Sequence, residues 1–263
     1  MKRKNTNNPY IKEIQKLRLM DDEFLEKMLD ENNEGVEYIL KIILSNNKLK
    51  VLSAKSQSVY KGIQGRSIRL DIRAIDANNK IYDIEVQRDS AGAGAKRARF
   101  YSSMLDTKLL EANDDFNKFV ETYVIFITEK DVLNHGRPIV HIDRVIKETG
   151  KMFNDEAHII YVNGEYNDES SDIGRLMHDF RCSDPNKMYS SPLKEKALYL
   201  KNTEEGQKIM CKIIEDIADK REKDTLKRIV CSMYENGLTV DAIATYTELS
   251  IDYIELLLNE SNE

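Results

Sequence analysis

The 263 residues carry 40 Lys and Arg against 46 Asp and Glu, a net charge of −6, with 41% apolar residues and no Trp. This length and apolar share suffice for one sizeable core plus a smaller appendage, and the acidic balance excludes a chain that attracts polyanions through its overall field. Cys182, Cys211 and Cys231 are odd in number and widely spaced, which excludes a disulfide framework or a paired-cysteine metal clip and suits free thiols in a reducing cytoplasm.

Taken in chain order, Pro9 to Leu29 has apolar residues at helical spacing and predicts one amphipathic helix. After a break at Asp30 to Asn33, a second helix is expected from Glu34 to Leu44, with Val36, Ile39, Leu40 and Ile43 on one face. The period then changes to two. Leu49 to Tyr60, Ser67 to Ile75 and Ile81 to Gln87 read as strands, with a turn at Asn78 and Asn79. The small-residue segment Ser90 to Ala95 reads as a loop, and Lys96 to Leu110 as a helix. Tyr123 to Thr128 is an apolar, β-branched run of the kind found in buried strands. Ile139 to Ile142 and His158 to Val162 are further strands, and from Ile173 the pattern is mainly helical. A soft boundary near residue 190 divides a mixed domain, 1–190, from a helical region, 191–263. Met1 to Asn8 is polar, unlike a signal peptide, and the longest apolar runs fall far short of a membrane span. A soluble, cytoplasmic chain with no membrane contact is the expectation.

The chemistry concentrates on the hairpin. Its apolar residues are even-numbered on both strands, so the two apolar faces coincide only when paired numbers sum to an even value. A three-residue loop, Asn78 to Lys80, would pair Arg73 with Glu85 and Asp71 with Gln87. Asp71, Arg73, Asp83, Glu85 and Gln87 then share the other face. Carboxylates held this close repel one another, and a divalent cation relieves the repulsion. Magnesium favours two carboxylates plus a backbone carbonyl and keeps several waters, which it can activate against a phosphodiester. Taken alone, the same polar stripe also reads as the solvent face of a two-stranded ribbon. Arg88, Lys96, Arg97 and Arg99 follow directly, at a helix start that suits phosphate.

The order helix, strand, Leu70-Asp71-Ile72, turn, Tyr82-Asp83-Ile84-Glu85-Val86-Gln87, basic helix, apolar strand resembles the PD-(D/E)XK nuclease superfamily. More closely, GRSIRLDI, YDIEVQ, GAGAKRARFYSSMLD, ETYVIFITE and GRLMHDF resemble the bacterial recombination-promoting nucleases and transposases, over residues 10 to 185. The resemblance implies an α/β, restriction-endonuclease-like core, a mixed central sheet flanked by helices, followed here by a C-terminal helical tail. It implies that Asp71 is the motif's first acid and Glu85 its second, with a glutamate of the first core helix beside them. Glu37 is the choice for that glutamate, with Glu34 close behind. Leu70 stands where the motif has proline, and Gln87 where it has lysine, so a charge that faces the scissile phosphate is missing at that position.

On this reading Asp71, Glu85 and the Val86 carbonyl hold Mg2+, or Mn2+ in its place, and Gln87 positions water. Arg88, Lys96, Arg97 and Arg99 contact double-stranded DNA, and Lys96, Arg97 or Arg99 could supply the missing charge. A homodimer is expected because cutting both strands commonly needs two subunits. Two other readings stay open: a catalytically inactive DNA-binding or regulatory protein that keeps the fold, and a protein-interaction module. Residues 239–258 have the plan of a helix-turn-helix, capped by Thr239 and Ser250. Asp252, Glu255 and Glu260 with no Lys or Arg argue against phosphate contact through its second helix, and favour packing or self-association.

Overall fold

Three successive segments of period two fold into an antiparallel meander: β1 (Val51–Tyr60), β2 (Ile68–Asp76) and β3 (Ile81–Gln87). The computed structural model describes residues 10–60, 68–107, 109 and 115–259; the expectations touching Pro9, Ser67, Leu110 and Glu260 fall outside them. β4 (Thr122–Thr128) joins β3 in parallel, β6 (Ala157–Asn163) joins β4 in parallel, and β5 (Ile139–Ile142) closes the edge antiparallel to β6. The six-stranded order is β1-β2-β3-β4-β6-β5. It is the mixed sheet with flanking helices expected of a restriction-endonuclease-like α/β core.

One helix, α4 (Ala95–Asp106), carries the crossover from β3 to β4. It lays Ala98, Tyr101, Met104 and Leu105 on Ile81, Val124, Phe126 and Tyr161. The opposite face of the sheet, with Tyr82, Ile84, Ile125, Ile127, Ile160 and Val162, is buried too. Its cover comes from α2 (Asp22–Leu29), α3 (Asn33–Ile43), α5 (Asp172–Arg181) and α6 (Ser191–Asn202), which pack on β1, β2 and one another. Burial on both sides explains why β4 reads as a near-continuous apolar run.

In the N-terminal helix and the hairpin the structure departs from the sequence expectations in three places. The helix expected from Pro9 to Leu29 is two, α1 (Ile11–Lys16) and α2, because Asp21 accepts the Arg18 N–H and the buried Lys201 takes the carbonyls of Gln15 and Leu17. The hairpin register is shifted by two residues from the one expected: Arg73 pairs with Asp83 and Ile75 with Ile81. The parity was right, but the turn begins at Asp76. Its buried carboxylate accepts the N–H groups of Asn78 and Lys80 and the Tyr82 hydroxyl, which fixes a five-residue connection. Finally, the odd-numbered hairpin face is not a solvent face, since Asp83 and Glu85 lie under α4 at 0% exposure.

The chain divides into two compact units at Met210 and Cys211, inside α7 (Glu204–Glu235). The division falls beyond the boundary expected at residue 190 because α6 buries Leu193, Ala197, Leu200 and Lys201 within the first unit. In the second unit α8 (Val240–Thr247) and α9 (Ile251–Asn259) close a small core of Val230, Ile243, Ile254 and Leu257. Thr239 caps α8 by accepting the Ala242 N–H. α9 exposes Asp252 and Glu255 and has no basic residue. Among the described residues no helix is long and apolar enough to cross a membrane.

Candidate active site

The ladder between β2 and β3 ends at Ile72 and Ile84. The next two residues in register, Asp71 and Glu85, replace the missing rungs with their side chains. Glu85 Oε1 accepts the Asp71 N–H at 2.9 Å, and Asp71 Oδ2 accepts the Val86 N–H at 3.0 Å. A disturbance in β1 accompanies this opening. Gln57, which the β1–β2 register would set against Asp71, has a left-handed φ of 50° and is skipped by the ladder. Irregularities of this kind turn a strand so that a chosen side chain is re-aimed. An extended residue points its N–H and C=O to the same side, so Val86 also turns its carbonyl toward β2, past the end of the ladder.

Burial grades along the acidic face. Asp83 and Glu85 are inaccessible, Asp71 and Gln87 are half-buried, and the surface is reached beside Arg97. Burial, then the charge of Asp22, pushes Asp71 up to about 6, while burial, then the charge of Asp71, pushes Glu85 up to about 8. Asp83 is driven well above the ordinary carboxylate range by burial and by Glu85 and Asp71. Neither of its carboxylate oxygens has a hydrogen-bond partner as an anion. Two carboxylates share a hydrogen only when one is protonated, and as a neutral acid Asp83 gains Glu85 as a partner.

The residues expected at this site separate into those that meet and those that do not. Asp71, Glu85, Val86, Gln87 and Arg97 come together. Arg97 Nη1 lies 3.4 Å from Gln87 Oε1, and Nη2 lies 3.5 Å from Glu85 Oε2 and 2.8 Å from the Tyr101 hydroxyl. Lys96 and Arg99 are exposed on the first two turns of α4. Arg88 is ion-paired with Asp21 at 2.9 Å and with Glu129 at 3.4 Å, in a network completed by Arg18. That network ties the start of α2 to the ends of β3 and β4.

Glu37 lies elsewhere. Its carboxylate binds Lys41 at 2.7 Å and Lys50 at 3.4 Å and accepts the Val51 N–H at 3.0 Å. Val51 pairs with Asp76, five residues along β2 from Asp71, or about 17 Å at strand spacing. The acid that does reach the field of Asp71 is Asp22, at the first residue of α2. Arg69, on β2, acts on Asp71 and Asp22 from the opposite sign. The clue to Asp22 lies in the break of the N-terminal helix, which starts a new helix with two acids whose charge acts on Asp71.

The donor set suits a hard divalent cation. After their backbone hydrogen bonds, Asp71 retains Oδ1 and Glu85 retains Oε2, and both acids are loaded with a repulsion that a cation relieves. Among the described residues no three His, Cys, Asp or Glu side chains converge to cage a metal. Asp22 acts on Asp71 through its charge, and the groups that meet at the end of the ladder are two carboxylates and the Val86 backbone. His178 and Cys182 do not form a site, since His178 faces Asp179 and Cys182 bonds to the Asp184 carbonyl. A cleft of about 280 Å³ at the far end of β3, lined by Tyr82, Tyr123 and His158, contains none of these acids.

The family model described as PD-(D/E)XK nuclease family transposase matches residues 13–172. No curated protein and no solved structure matches the chain. The matched span is more than half of the sequence and contains every acid of the β2–β3 face. The chain belongs to the PD-(D/E)XK nuclease family transposases.

Proposed function

We propose that this protein is a divalent-metal-dependent endonuclease that hydrolyses phosphodiester bonds in double-stranded DNA and thereby promotes recombination or transposition. The observation that carries the reading is the meeting of Asp71 and Glu85 at the open end of the β2–β3 ladder, each bound to the other strand's backbone with one oxygen outside those backbone bonds. Those two oxygens and the Val86 carbonyl would hold Mg2+, with Mn2+ as its substitute. When bound, the ion supplies activation of water and neutralisation of charge developing on the phosphate.

The chain's own groups do the rest. Gln87 presents a carboxamide that both donates and accepts, which suits it to orient a water molecule. Lys96 and Arg99, together with the N–H groups at the start of α4, face backbone phosphates. In the reaction the water oxygen bonds to phosphorus as one bridging P–O bond breaks. The leaving oxygen gains a proton and water loses one, so the cut ends together contain one added water. A homodimer would set one such centre on each strand. A reducing cytoplasm suits the thiols of Cys182, Cys211 and Cys231.

The uncharged Gln87 favours a second reading, a DNA-binding protein that keeps the fold without cutting. A plasmid-nicking assay with magnesium separates the two. The parent converts supercoiled DNA to nicked or linear forms, and Asp71→Ala or Glu85→Ala lowers the rate ~1000-fold. Cutting by both variants at the parental rate defeats the site assignment. Salt-dependent duplex binding without cleavage or metal uptake selects the second reading.

A further inference from the structure

Of the three cationic side chains of α4, Arg97 alone is turned into the acidic face. Lys96 and Arg99 are exposed. The Arg97 guanidinium lies across the Tyr101 ring, 5.0 Å from its centroid, and donates to the Tyr101 hydroxyl at 2.8 Å. Tyr101 is itself 5% exposed, wedged against Phe126 at 6.1 Å, so it offers a fixed acceptor. With one nitrogen held there, the other reaches Gln87 Oε1.

The turn between Gln87 and Arg97 is built for this contact. A Cβ on Gly92 would stand 2.1 Å from Gln87 Oε1 and 3.4 Å from Arg97 Nη1. The next residue is pinned by Tyr161, whose hydroxyl donates to the Ala93 carbonyl at 2.8 Å. Gly92, Gln87, Arg97 and Tyr101 therefore form one assembly at the mouth of the site, and the guanidinium is its only cation. A planar fork of donors beside an acidic, partly buried centre is suited to the non-bridging oxygens of a phosphate.

We propose that Arg97 is the catalytic cation of this site, facing the phosphate under attack, and that Tyr101 is the positioning residue that aims it. This rests on the nuclease reading. Arg97 thus provides the charge that Gln87 lacks, and its role is distinct from the backbone grip of Lys96 and Arg99.

The test compares Arg97→Met, Arg97→Lys, Tyr101→Phe and Lys96→Ala in three measurements on the full chain. These are single-turnover DNA cleavage with Mg2+, duplex binding by anisotropy in Ca2+, and Mn2+ binding by calorimetry without DNA. Arg97→Met is expected to lose ~100-fold in the cleavage rate with less than about threefold change in duplex affinity. Arg97→Lys recovers part of that loss. Tyr101→Phe loses about five- to tenfold in rate at unchanged KM, while Lys96→Ala loses through KM and shows a shallower salt dependence. Removing the cation beside Glu85 also tightens Mn2+ binding, by about three- to tenfold, whereas Lys96→Ala shifts it less than twofold. Arg97→Met that cuts at the parental rate, or that loses only through KM, overturns the proposal. If the parent cuts no DNA, the nuclease reading fails, and the Mn2+ titration decides the placement of Arg97 by itself: tighter binding supports it, and unchanged binding overturns it.

Discussion

Two groups of buried charge occupy the first unit, and they are solved in opposite ways. Lys201 at 1% exposure donates to the carbonyls of Gln15, Leu17 and Ser183 and faces the Phe24 ring at 4.8 Å. Asp179 at 0% accepts the N–H groups of Tyr189 and Ser190 at 2.8 and 2.9 Å. Asp83, equally buried, has no partner for either oxygen as an anion, and Glu85 has one backbone N–H and a distant guanidinium. A buried charge with all its hydrogen bonds made fixes one packing arrangement. A buried charge left short of them holds a repulsion that a ligand can relieve, which marks a site rather than a strut.

The comparison is broken most sharply by Glu85→Gln. Its expected effect on cleavage is a ~1000-fold loss, yet the metal-free variant should unfold at a higher temperature than the parent at pH 8. The sign follows from proton counting. Glu85 is raised in the fold to about 8 from an ordinary 4.5, so the native state binds more protons than the unfolded chain between those values. Stability contributed by that proton is present below about pH 4.5 and is lost as pH rises through 8. Gln has no such loss. A variant that is both inactive and less stable at pH 8 would make Glu85 a strut like Asp179.

How much of this was legible in the sequence follows from the same physics. Alternation of period two set the parity that brings Asp71 and Glu85 to one face, and parity survives an error of two residues in register. The register itself depended on Asp76, whose buried carboxylate gathers three donors; nothing in the alternation marks an aspartate as the hub of a turn. Burial of the acidic face was not legible, because a polar stripe is written alike whether water or α4 covers it. That Asp22 and not Glu37 stands in the field of Asp71 was hidden for a related reason. Both are helix acids, and only the long-range contacts of Lys201, which split the first helix, decide which helix start stands at the open end of the sheet.

On the strut side, Asp179→Ala strands the N–H groups of Tyr189 and Ser190 in the interior. It should cost about 3 kcal/mol of stability in urea denaturation, with cleavage per folded molecule retained. A loss below about 1 kcal/mol would remove Asp179 from the partnered class. A smaller effect separates Lys201. Burial lowers it to about 8 from 10.5, so the unfolded chain binds more protons between those values and stability from this group rises with pH across that window. Measured against Lys201→Met, the parent should gain up to about 1.4 kcal/mol per pH unit between pH 8 and 10. A flat difference would mean that the three carbonyls hold the ammonium as well as water does.

The smallest expected effect tests the reassigned acid. The outer edge of β1 is met by α3 and the turn before it: Glu37 takes the Val51 N–H, Asn33 the Leu52 carbonyl, Glu31 the Ala54 carbonyl and Asp30 the Ser56 N–H. An edge strand left open is a template for unwanted pairing, and Glu37 closes one of its groups while forming a partly exposed ion pair with Lys41. Glu37→Gln keeps an acceptor for Val51 and loses only the charge, so it should cost about 0.5 kcal/mol and leave the DNA cleavage rate unchanged. A rate loss beyond about tenfold at intact stability would return Glu37 to the centre, because a side chain some five strand residues from Asp71 has no other physical route to the chemistry.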